Sequence, residues 1–84
     1  MAVRYHPLVR EALARHGVRP TPSTRPEIVH EYVNHLYRYE LRRLRRRLVR
    51  GEVAKPDYAS LVVDLRRKYM LVSVPLRQWT VREP

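Results

Sequence analysis

Apolar residues fall at helical spacing in three stretches of the chain, and glycine and proline mark the breaks between them. Pro7 suits the first position of a helix, where its missing N–H would have no partner. Leu8, Val9, Ala12 and Leu13 then form an i, i+4 stripe, Glu11 and Arg15 are spaced for an exposed pair, and Gly17 and Pro20 end the run. The pattern predicts a short helix over residues 7–16. Residues 18–24 hold two prolines and three hydroxyl residues, which predicts an irregular connector.

The second stretch is the longest. Thr24 and Glu27 have the spacing of a capping box, with Thr24 at the N-cap, and no Gly or Pro interrupts the chain from Glu27 to Arg50. A helix over residues 25–50 would run about 39 Å. At 100° per residue, Val29, Val33, Leu36, Tyr37, Leu41, Leu44 and Leu48 share an arc of roughly 140°, the expected core stripe. After the turn at Gly51, Pro56 opens a third run in which Tyr58, Leu61, Val62, Leu65 and Tyr69 repeat at i, i+3, i+4, i+7, with Asp64 and Lys68 placed for an i, i+4 pair. A helix over residues 56–69 would fold back on the long one as an antiparallel αα-hairpin. Over about thirty residues these apolar repeats on either side of a Gly turn resemble the short helical hairpins called SHOCT domains, a resemblance that implies a hairpin and no function.

Residues 70–84 are apolar and β-branched at first, and Pro75 cuts them. They predict an extended tail packed across the hairpin, with a helical turn at Ser73 as the variant reading. Trp79, the single Trp, either anchors this tail in the core or stands exposed as a hot spot for a partner. The expected fold is therefore all-α: short helix, long central helix, third helix antiparallel to it, and an extended C-terminal tail.

Composition narrows the function classes. Eighty-four residues make one domain at most, with little room for a large enclosed active site. The absence of Cys excludes disulfides and thiol chemistry. No run approaches the ~18 apolar residues of a membrane span, and the first residues lack the apolar stretch of a secretory signal, so a cytoplasmic protein with no membrane partner is expected. Two glycines cannot build a phosphate-binding loop, and Ser23, Ser60 and Ser73 have no nucleophile context. His30 and His35 are i, i+5 apart, and the one Glu-x-x-His pair, Glu27 with His30, is a single copy of a motif that metal bundles need twice. No catalytic residue, metal or cofactor is expected.

Charge changes the picture most. Eighteen Lys plus Arg against eight Asp plus Glu give +10, and sixteen of the eighteen are Arg. Such skew is also what a GC-rich genome would produce, so arrangement has to decide. Between Arg38 and Arg50 stand seven Arg and only Glu40 as an acid, a net of 7 − 1 = +6. Arg42, Arg43, Arg46 and Arg50 form one strip on the helical wheel, which Tyr39, Tyr32 and Ile28 continue toward the N-terminus. Guanidinium groups bind phosphate bidentately and stack on bases, and Tyr faces stack on unpaired bases. Arg is also a good helix former on any solvated face, and Tyr32 and Tyr39 are equally placed to pack under the first helix.

Two readings follow. In the first, a non-catalytic helical module binds nucleic acid through Arg38, Arg42, Arg43, Arg46, Arg50, Tyr32 and Tyr39. RNA is favoured over sequence-specific DNA, because the third helix opens Pro56-Asp57-Tyr58-Ala59-Ser60, which is acidic and poor in base-reading groups. In the second, an accessory subunit or homodimer docks on an acidic protein partner through Glu40, Arg47 and Trp79, because the third helix covers only half of the long one.

Overall fold

A computed structural model of the chain describes residues 3–81 and is all-helical, with helices Pro7–Arg15 (α1), Pro26–Val49 (α2) and Lys55–Lys68 (α3). Each helix lies within a residue of its expected bounds, and α2 and α3 form the hairpin. Both helix ends that glycine was expected to mark are closed by it. At α1, Gly17 N donates to Ala14 O at 3.0 Å and Val18 N to Leu13 O at 2.9 Å. At α2, Gly51 N donates to Leu48 O at 3.0 Å and Glu52 N to Arg47 O at 2.9 Å. This paired pattern satisfies the last carbonyls and needs one left-handed residue, supplied by Gly17 and Gly51 at φ 76° each.

The capping box does not form. Arg25 is the N-cap of α2 and makes no side-chain cap, while Pro26 takes the first helical position. The Thr24 hydroxyl is instead committed to the connector, accepting from Thr21 N at 2.9 Å, and its carbonyl accepts from the Tyr5 hydroxyl at 2.7 Å. With Thr24 held in that turn, the helix starts one residue later. At α1 the cap is one that the sequence did not announce: His6 Nδ1 accepts from Leu8 N at 3.1 Å.

The tail is only partly extended. It makes two short 3-10 turns, Met70–Ser73 and Leu76–Gln78, separated by extended backbone at Val74 and Pro75. Pro75 has no N–H to continue a helix, so the chain turns, straightens and turns again. Residues 79–81 then pair with the N-terminal segment: His6 N donates to Trp79 O and Val81 N to Arg4 O, each at 2.8 Å, around an antiparallel bridge between Tyr5 and Thr80. The expected tail ran to residue 84, and residues 82–84 lie outside those described.

One apolar core results, made by Tyr5, Val9, Leu13, Val29, Val33, Tyr69, Leu71 and Trp79. It belongs to the N-terminal half of α2, α1 and the tail. The expected stripe on α2 faces inward along its whole length: Tyr37 still reaches the head through Tyr69, and past it, alongside α3, Leu44 is buried and Leu41 and Leu48 are half-buried. No residue of α3 is fully buried. The molecule is thus a packed head with a two-helix arm. It measures 53 × 17 × 17 Å with a radius of gyration of 15.5 Å, against about 12 Å for a compact chain of this length.

Trp79 closes the head. Its side chain has no solvent exposure, its indole N–H donates to Val74 O at 3.1 Å, and the His30 ring tilts against it at 5.4 Å. Trp79→Ala is expected to remove about 3–5 kcal/mol, a large share of the about 4–13 kcal/mol normal for a chain this size. Urea unfolding followed by far-ultraviolet circular dichroism measures the loss. A midpoint close to wild type would show that the tail contributes little.

Candidate nucleic-acid interface

The residues expected to form the strip stand together on the solvent face of α2. Ile28, Tyr32 and Tyr39 are 58%, 52% and 59% exposed, so the Tyr side chains do not pack under α1. That helix sits on the other side of α2, where its Val9 and Leu13 share the core with Val29 and Val33. Arg38, Arg42, Arg43, Arg46 and Arg50 are all exposed. From Tyr32 to Arg50 the strip runs about 27 Å along a single helix.

Its C-terminal part is shaped as well as charged. Arg42, Arg45, Arg46, Val49 and Arg50 line one shallow groove of about 340 Å³. Tyr39, Arg43, Arg46, Arg47, Arg50 and Glu52 line another of about 380 Å³, which brings an aromatic face and four guanidinium groups to one hollow. Among the described residues Arg38, Arg42, Arg43, Arg45, Arg46 and Arg50 form no ion pair, while Arg47 lies 3.8 Å from Glu52. Unpaired guanidinium groups in a row repel one another and lower their energy by donating to phosphate or carboxylate oxygens. Arg45 and the exposed Val49 join the surface although they stand outside the strip on the wheel, because a groove takes in residues on both of its walls.

The residues expected to meet a protein partner have other roles. Trp79 is core and offers no surface. Glu40 is tied within the chain: Lys68 Nζ lies 3.2 Å and 3.4 Å from its carboxylate oxygens. The expected Asp64–Lys68 pair is not among the ion pairs of the described residues, since Lys68 reaches across the hairpin to Glu40. Arg47 likewise turns to Glu52 across the loop. With intramolecular partners at both sites, neither Glu40 nor Arg47 requires a second chain. The expected Glu11–Arg15 pair does form, at 3.4 Å.

Tyr69, just beyond α3, gathers the three helices. His16 stacks on it at 4.5 Å and 12°, Tyr37 of α2 tilts against it at 5.4 Å, and Lys68 Nζ lies 5.5 Å from its ring centre. Burial lowers His16 below the ordinary imidazole range, with the Lys68 and Arg15 charges adding to the effect. Burial alone would raise Glu40, but the Tyr69 hydroxyl and the Lys68 ammonium together hold it below the ordinary carboxylate value. Burial, then the Glu40 carboxylate, push the Tyr69 hydroxyl far above the normal phenol range. His30 is similarly structural, since its Nε2 meets Val72 O at 3.0 Å. Among the described residues no three His, Asp or Glu side chains stand close enough to hold a metal ion, and no helix is long and apolar enough to cross a membrane.

These shifts give stability a pH dependence of known sign. Folded His16 releases its proton more readily than unfolded His16. The unfolded chain therefore binds more protons below the ordinary pKa of 6.5, and stability rises with pH up to that value. Tyr69 acts oppositely: the folded chain keeps its proton, so that contribution is complete below about pH 10 and falls away above it. In the urea midpoint plotted against pH, His16→Asn is expected to flatten the acid limb near pH 6.5 while leaving the loss below about pH 4.5 that the lowered Glu40 contributes. Tyr69→Phe is expected to flatten the alkaline limb. An unchanged acid limb in H16N would show that imidazole burial there carries no proton linkage. No family model, curated protein or solved structure matches this chain, so the likeness to short helical hairpins stays at the level of spacing.

Proposed function

We propose that the protein is a non-catalytic nucleic-acid-binding module that grips phosphate with the Arg face of α2 and stacks unpaired bases on Tyr39 and Tyr32. The observation that carries this reading is the exposure of the entire strip. Five guanidinium groups of the set stand in solvent with no acidic partner among the described residues, on the same helix face as two half-exposed Tyr rings. Exposed Tyr rings beside the guanidinium groups offer stacking faces to unpaired bases.

Chemistry favours RNA with single-stranded or looped segments over sequence-specific duplex DNA. Tyr faces serve unpaired bases, and Arg serves the backbone of either acid. The hairpin offers no helix whose first turn is rich in Asn, Gln or Arg for reading a major groove. Backbone contact therefore supplies most of the affinity, and stacking the preference for single strands.

The expected behaviour is binding to a labelled structured RNA and to a single strand that weakens steeply between about 50 and 200 mM salt, measured by fluorescence anisotropy. Changing Arg42, Arg43, Arg46 and Arg50 together to Gln should abolish it, with any residual binding losing roughly 3 from the slope of log K against log salt. Tyr39→Ala should weaken the single strand by about 1–3 kcal/mol per stacked base lost. Unchanged affinity in the quadruple variant, with its helical signal intact, would overturn the proposal.

A further inference from the structure

A further hollow lies away from the Arg strip. Between α1 and the tail runs an open groove of about 820 Å³ lined by no residue of α2. Leu8, Ala12, Met70, Val74 and Val81 line it, over the buried Val9 and Leu71. Leu8 is 69% exposed and Met70 62% exposed. Neither residue is needed where it stands: position two of α1 prefers a polar or acidic side chain, and Met70 begins a 3-10 turn that asks for no apolar group. Arg15, Arg67 and Lys68 also line the groove; Arg15 is paired with Glu11 and Lys68 with Glu40, which leaves Arg67 as the cation without an ion pair among the described residues.

We infer that this groove docks an acidic amphipathic helix of a partner protein, laying its apolar stripe on Leu8, Met70 and Val74 and its carboxylates against Arg67, the rim cation that has no ion pair among the described residues. Three features select this occupant. A small apolar ligand needs a site that encloses most of its surface, whereas side chains exposed by more than 60% mark an open trough suited to a continuous stripe. α1 spans nine residues, or about 13 Å, so the trough along it accommodates about two and a half turns of a docked helix. The charge fixes the sign of the flank, and it disfavours a second copy of this chain, which would bring the same cationic rim and another +10. Met supplies an adaptable contact at such surfaces. The inference is independent of the proposed Arg-strip function, since the two surfaces share no residue.

The test uses the full chain and a fluorescein-labelled peptide of sixteen residues, with Leu at i, i+3, i+4 and i+7 and Glu on the flanks. Two controls accompany it, a scramble that breaks the helical period and a version with Lys for Glu. The helical acidic peptide is expected to bind with amide-shift changes at Leu8, Ala12, Met70 and Val74, and at least tenfold more tightly than either control. Leu8→Ser with Met70→Ser should weaken it at least tenfold, while the quadruple Arg-to-Gln variant should leave it unchanged. The shift map on the wild-type chain decides the matter even if the double variant loses its fold. Equal binding by the scramble, shifts confined to residues 38–50, or no binding would overturn the inference. So would wild-type retention on phosphatidylcholine–phosphatidylglycerol vesicles that depends on Leu8 and Met70, which would assign the groove to a membrane surface.

Discussion

The complete burial of one indole ring governs the head of this protein. Trp79 stands near the end of the described chain, yet its backbone carbonyl receives His6 N and its side chain meets His30 of α2. That single residue holds the tail onto the long helix and the N-terminal segment onto the tail. Nine residues of α1 have no independent stability in water, so the helix persists because both of its flanks are tied: His6 through Trp79, and the connector through Tyr5 to Thr24. A small chain reaches a usable core here by closing the segments around Tyr5 and Trp79 over the N-terminal half of one helix.

The closure serves only half of α2. Head residues fill the space over Val29, Val33 and Leu36, and nothing comparable covers Leu41, Leu44 and Leu48 except α3. Two helices share one seam and bury little of each other's flanks, which is why α3 has no fully buried residue. The surface reflects it: the chain exposes 6870 Å², against about 5300 Å² for a compact protein of this mass. The arm that results carries the densest charge on its outer side and presents it well away from the head.

Helix positions were legible because period and punctuation agreed. The stripe from Val29 to Leu48, Gly17, Gly51 and the prolines at Pro7, Pro26 and Pro56 all point to the same three helices, and the Arg strip lies where the wheel puts it. Tertiary choices were not legible. Thr24 fits a cap or a connector turn equally well by spacing, and the Tyr5 hydroxyl, nineteen residues away, settles which. Lys68 has an acid one turn back at Asp64, and only folding shows that Glu40 is nearer. The N-terminal pairing left a faint trace, with Val3 and Tyr5 turned in and Arg4 out. Three alternating residues are too few to announce a strand. The groove beside α1 had no trace, since Leu8 reads as part of an apolar stripe until the packing leaves it outside.

The thin seam of the arm has a consequence for its own integrity. Six guanidinium groups that have no ion pair among the described residues repel one another along the C-terminal half of α2, and the seam beneath them buries little to oppose that strain. Added electrolyte then acts twice with opposite sign. It screens the repulsion and steadies the free arm, and it competes with any polyanion for the same groups. An anionic ligand would do the first without the second, replacing repulsion by contact and firming the hairpin as it binds. The free arm is thus least steadied in dilute salt, the condition in which its positive field also reaches farthest.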